Sequence, residues 1–203
     1  MQDIMLPPKG RLWVSHVDQA KGSWVPATKV TLNTVMYEWG FVAAKTIGHG
    51  DPAYRINTMY IEFSNVTDPA DAVSVPSFTR DEGLSYYNGL SGSSTNDYLR
   101  VPLIGQPTIS IESGFESYFT EGVDGNLLTF FAQSAGGTGV HSKTFANGSN
   151  SKIFGAALVA APVNADPTKD IVFSRAYFAS ADQTVKQTSS QVGITWELSL
   201  IHI

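Results

Sequence analysis

The stretch VGITWELSL near the end of the chain alternates without a break. Val192, Ile194, Trp196, Leu198 and Leu200 fall on one side, and Gly193, Thr195, Glu197 and Ser199 on the other. A period of two is the geometry of a β-strand with one buried face; on a helix the same apolar set would scatter around the axis. The pattern recurs upstream. Residues 58–64 place Met59, Ile61 and Phe63 opposite Tyr60 and Glu62, and residues 98–104 place Leu99, Val101 and Leu103 on one face. Residues 108–112 are expected to send Ile109 and Ile111 inward, and residues 127–133 and 170–180 read as further strands. KIFGAALVAA, residues 152–161, is apolar on both faces, as a buried central strand requires.

Gly, Pro and Asn punctuate nearly every join between these runs, and no long helical pattern alternates with them. Regular short strands with such punctuation predict an all-β chain, an antiparallel β-sandwich of jelly-roll type rather than a parallel α/β sheet. The predicted core is Ile61, Phe63, Leu99, Val101, Ile111, Ile194, Trp196 and Leu198.

The first 50 residues read differently. Pro7-Pro8 blocks regular structure, residues 11–17 alternate briefly, and Pro26 interrupts the next apolar run. Residues 33–47 mix aromatic and β-branched residues with a helix-permitting Glu38 and Ala43-Ala44-Lys45, while Gly40 weakens either form. Gly48-His49-Gly50-Asp51-Pro52 is a strong break. The expectation is a division into residues 1–50, an irregular arm or small β extension, and residues 51–203, the sandwich. The arm is apolar, with Trp13, Trp24, Trp39 and Phe41. Such rings bury large areas, so they are expected either to pack on their own sandwich or, the preferred reading, to anchor a contact with a neighbouring subunit.

Composition narrows the function classes. There are 13 Lys and Arg against 18 Asp and Glu, for a formal charge of −5, with no basic cluster. A nucleic-acid surface needs such a cluster to displace counterions, so nucleic acid is not an expected partner. No run is long and apolar enough to span a membrane, and the absence of cysteine removes thiolate metal sites and thiol catalysis. The start, MQDIMLPPKGRLW, lacks the apolar core of a secretory signal, so folding in a cytoplasm is expected and the formula sequons at Asn65 and Asn147 carry no weight.

No stretch spells out a reaction. Gly89-Leu90-Ser91-Gly92-Ser93 misses the nucleophile elbow, because Ser93 stands where the second glycine belongs and no strand–turn–helix surrounds it. His16, His49, His141 and His202 are never at metal-binding spacing, and Asp166, Lys169 and Asp170 lack the spacing of a calcium loop. The glycines from Gly136 to Gly139 precede neither Lys-Ser/Thr nor a helix, so they are no phosphate loop. Adjacent Asp81 and Glu82 on a strand would point to opposite faces, and with Arg80 they read as a solvated turn or as partners for charges on a neighbour. Tyr86, Tyr87 and Tyr98 either cap the core or form an exposed platform for a sugar or a protein. The expectation is therefore no catalytic residue, no cofactor and no metal. The candidate interaction surface is Trp13, Trp24, Trp39, Phe41, Arg80, Asp81, Glu82, Tyr86, Tyr87 and Tyr98.

The string FTRDEGLSYYNGL, followed after a Gly/Ser run by DYLRVPL, resembles segments of structural proteins of tailed bacteriophages, and so does the terminal GITWELSL. The resemblance covers residues 58–104 and 190–201 and carries no functional residue with it. It implies an all-β virion component present in many copies, without placing it on head, neck or tail. The expectation is a non-enzymatic virion subunit, a head decoration or neck component, with other virion proteins and copies of itself as partners. The competing expectations are a tail-associated, glycan-binding module using the three tyrosines, and a hydrolase using Asp81 or Glu82.

Overall fold

The structure, a computed structural model, describes residues 9–18, 23–27, 30–32, 34–35, 38–64, 84, 87, 96–134, 152–164, 166–178, 182–185 and 191–200. Two antiparallel six-stranded sheets pack face to face as a β-sandwich. The first sheet is ordered β2 (Ser23–Pro26), β1 (Lys9–Asp18), β12 (Val192–Ser199), β8 (Leu127–Ser134), β7 (Thr108–Ser110), with β3 (Thr31–Leu32) also on β1. The second is ordered β4 (Thr34–Val35), β10 (Ile171–Tyr177), β9 (Lys152–Ala160), β5 (Ile56–Ser64), β6 (Asn96–Pro102), with β11 (Thr184–Val185) also on β9.

The alternation of the sequence maps onto this layering. Ile194, Trp196 and Leu198 of β12 meet Met59, Ile61 and Phe63 of β5 and Leu99 and Val101 of β6 in one buried cluster. KIFGAALVA is the middle strand of its sheet, and Ile153 to Ala160 are all buried. Ile109 and Ile111 depart from the expected core. Ile109 is 60% exposed and Ile111 only half-buried: β7 is a three-residue edge strand that ends before Ile111.

The largest difference lies in the first 50 residues. Lys9 to His16 pair with Ser199 to Val192, so β1 is an internal strand of its own sandwich, and Leu12 and Val14 are fully buried in the core. The expectation that this region is held mainly by a neighbour does not hold for these residues. The free side of β12 offers a full hydrogen-bonding partner in the same chain, and Leu12 and Val14 fill the layer beneath it. Three of the four aromatics of the arm also pack within the chain. Trp24 meets Phe131 edge-on at 5.3 Å between centroids, above Gly193, which lacks the side chain that would collide with both rings. Trp13 pairs with Thr195 and is half-buried. Trp39 packs against the core from the short α1 (Trp39–Ala43), and Phe41 meets Tyr54 edge-on at 5.5 Å.

The ambiguous stretch divides: Thr34–Val35 is a short strand on β10, and from Trp39 the chain is helical, α1 running into a π-helical turn, Ala44–Gly48. The break after it is a turn with Gly50 at φ 61°, where a side chain would be strained, followed by Asp51 capping a 3₁₀ turn through the Ala53 amide at 3.0 Å.

Candidate functional site

Two places in the sandwich concentrate chemistry. The first is the outer face of the β10–β9–β5–β6 sheet. On β5, Tyr60 and Glu62 alternate with the core residues; on β6, Tyr98 and Arg100 do the same, and the register sets Tyr60 beside Arg100 and Glu62 beside Tyr98. On the other side of β5, the partners of Glu62 and Tyr60 on β9 are Gly155 and Ala157, whose small size leaves room above the sheet. A β-bulge between Val172 and Ser174 brings Arg175 level with Ala157, on that same face.

All of these groups are buried. Arg100 grips Asp170 with two prongs, Nε to Oδ2 at 2.6 Å and Nη2 to Oδ1 at 3.0 Å, and its Nη1 donates to the Asn164 carbonyl at 2.8 Å. Tyr60 donates its hydroxyl to the same Asp170 oxygen. Arg175 grips Glu62 in the same way, Nε to Oε1 at 2.8 Å and Nη2 to Oε2 at 2.7 Å, and Tyr87 donates to Glu62 Oε1. The Arg175 guanidinium also lies 4.0 Å from the Tyr177 ring centre. Between the two pairs, the rings of Tyr60, Tyr87 and Tyr98 sit with centroids 4.6 to 4.9 Å apart. Burial, and then the adjacent Asp170 carboxylate, push the Tyr60 phenol far above its ordinary range, so it stays a proton donor. The hydrogen bonds it donates to Asp170 raise the Arg100 pKa further and hold the guanidinium in its charged form.

Chemically this is a closed network. Each carboxylate is neutralised by a two-pronged arginine and capped by a tyrosine hydroxyl, which leaves no oxygen presented to a substrate. Tyr87 and Tyr98, offered by the sequence as a stacking platform, are 0% and 2% exposed. Their rings are spent on each other and on Tyr60, so they offer no face to a sugar. Arg80, Asp81, Glu82 and Tyr86 lie outside the described residues. Replacing Gly155 with alanine is expected to destabilise the fold by about 1–3 kcal/mol in chemical denaturation. The added carbon would sit 2.9 Å from the Ala176 carbonyl oxygen and 3.0 Å from Glu62 Oε2, and would push Glu62 off Arg175.

The second place is a cleft of about 490 Å³ where the two sheets part at one end. Leu128, Phe130 and Leu198 form its wall on one sheet, Ile56 and Phe173 on the other. The helical turns from Trp39 to Ile47 roof it, and Arg55 and Gln106 supply polar groups in its lining. Trp39 is the sequence candidate found here. Near this end, the 111–126 excursion is tied down at its base. The Glu112 amide donates to Asn126 Oδ1 at 2.9 Å, Ser199 Oγ to Glu112 Oε2 at 2.6 Å, and the Leu200 amide to the Asn126 carbonyl at 2.8 Å. Beyond that base Tyr118 and Val123 stand 76% and 79% exposed.

His16 reaches Thr184 Oγ1 through Nε2 at 2.9 Å, and burial lowers its pKa. Among the described residues no three His, Asp or Glu side chains converge as a metal site, and no helix is long and apolar enough to cross a membrane.

The buried network was absent from the sequence reading because alternation alone marks the second face of a strand as solvent-facing. One signal was available: Tyr60-Ile61-Glu62 and Tyr98-Leu99-Arg100 each carry a tyrosine two residues before a charge, of opposite sign in the two strands. No family model, curated protein or solved structure matches the chain.

Proposed function

We propose that the protein is a non-enzymatic structural subunit of a bacteriophage virion, a head decoration or neck component that assembles as a homo-oligomer. The observation that supports this reading best is the 111–126 excursion, anchored at its base by hydrogen bonds yet presenting Tyr118 and Val123 almost bare. A rigid mount for exposed apolar groups suits a contact made with another subunit. The closed charge network is in keeping with it, since its carboxylates are committed to tying the strands of one sheet together. The resemblance of residues 58–104 and 190–201 to phage structural proteins supplies the virion.

Light scattering of the purified protein at micromolar concentration should show a discrete oligomer, and mass spectrometry of particles from the producing phage should find the protein in fixed copy number. Tyr118→Asp with Val123→Asp should dissociate the oligomer while leaving the circular dichroism spectrum intact. A wild-type chain that stays monomeric and is missing from particles would sink the proposal. Saturable binding on a glycan array would instead favour the tail-associated lectin, on a surface other than Tyr87 and Tyr98.

A further inference from the structure

The cleft between the sheets is the feature that neither the fold nor the assembly reading uses. Its volume, about 490 Å³, lies within the range of small-molecule sites and well above the gaps that packing leaves in a core. Its walls are the side chains of Phe130, Phe173, Leu198 and Ile56, which offer no hydrogen bonds. The one hydroxyl in the lining, on Thr46, is already engaged with the Val42 carbonyl at 2.7 Å. A sugar or nucleotide placed there would lose its bonds to water and regain almost none, so the interior selects hydrocarbon.

The polar end of the lining is equally specific. Arg55 is its charged residue, and among the described residues its guanidinium has no ion-pair partner. The Gln106 side chain, another lining group, is exposed beside the Pro107 turn. A cation and an amide donor on an otherwise apolar cleft complement a carboxylate at the end of an alkyl chain. We infer that this cleft binds an amphipathic carboxylate of the fatty-acid class, its chain between the sheets and its head group on Arg55. The inference does not depend on the virion reading, because a free subunit and an assembled one both contain the cleft.

The probes are sodium dodecanoate below its micelle concentration and dodecanol, titrated into the full-length protein and followed by calorimetry and by tryptophan fluorescence, since Trp39 lines the site. Dodecanoate should bind saturably. Arg55→Gln should weaken it about three- to tenfold, the scale of one partly exposed charge contact, and leave dodecanol unchanged. Ala43→Phe, which adds a ring to the roof, should abolish binding of both without shifting the thermal midpoint. Three results would each overturn the proposal: no saturable binding of dodecanoate, an equal effect of Arg55→Gln on both probes, or full binding to Ala43→Phe.

Discussion

Arg100→Met is expected to destabilise the protein by about 3–5 kcal/mol, the cost of leaving a buried carboxylate without its counter-ion. Asp170 would keep the Tyr60 hydroxyl but lose both prongs of the guanidinium, at a site where the two side chains are 3% and 0% exposed. Water has no access through which to replace them. The thermal midpoint should fall by about 6–20 °C for a chain of this size. The second arm of the experiment removes both charges. Arg100→Met with Asp170→Leu should recover part of the loss, because an ion pair exchanged for apolar groups of similar volume is often neutral, less the cost of the buried Tyr60 hydroxyl that loses its acceptor. If the double variant is as damaged as the sum of the two single variants, the pair is not coupled and this account of the network fails.

Trp196→Ala should cost a similar amount, about 3–5 kcal/mol, by opening a cavity in the middle of the sandwich. Trp196 is fully buried, between Leu12 on β1 and Phe130 on β8 in the sheet register. Among the described residues its indole nitrogen has no hydrogen-bond partner, so within them the ring is held by packing. Trp196→Phe should therefore cost much less than the alanine change, since it forfeits volume but no bond. Denaturant midpoints at an unchanged slope would report both variants on one scale. Equal losses for phenylalanine and alanine would mean that the indole nitrogen has a partner, such as a buried water.

These two sites divide what the sequence could and could not reveal. Trp196 was legible because its strand alternates cleanly and both neighbouring strands bury the same face. The strands at 58–64 and 98–104 were legible for the same reason, and the middle strand for its apolar run on both sides. Ile109 and Ile111 alternate just as well, yet alternation records which residues share a face and not whether another layer covers it. The same limit hid the buried pairs. Glu62 and Arg100 occupy the polar phase of their strands and meet their partners Arg175 and Asp170 from positions 113 and 70 residues away, a distance over which no local pattern operates. The place of β1 inside the sandwich was not legible, because the prolines and glycines around it weaken local propensity, whereas β1 is held by β12 from far along the sequence.

That pairing has a consequence for the order in which the protein can form. Lys9 lies opposite Ser199, so the first of the described strands waits for the last of them. During synthesis Leu12 and Val14 have no completed layer to enter until Val192–Ser199 has left the ribosome. The closure spans almost the whole chain, and contacts of such long separation slow folding because their loop entropy is lost before they form. In the opposite sheet β5 pairs with β6 and β9, which follow it in sequence, so those strands can assemble while the rest is still being made. Every strand of the sheet that carries the charge network precedes β12 in sequence, so that sheet can be complete while the other still lacks the strand that joins β1 to β8.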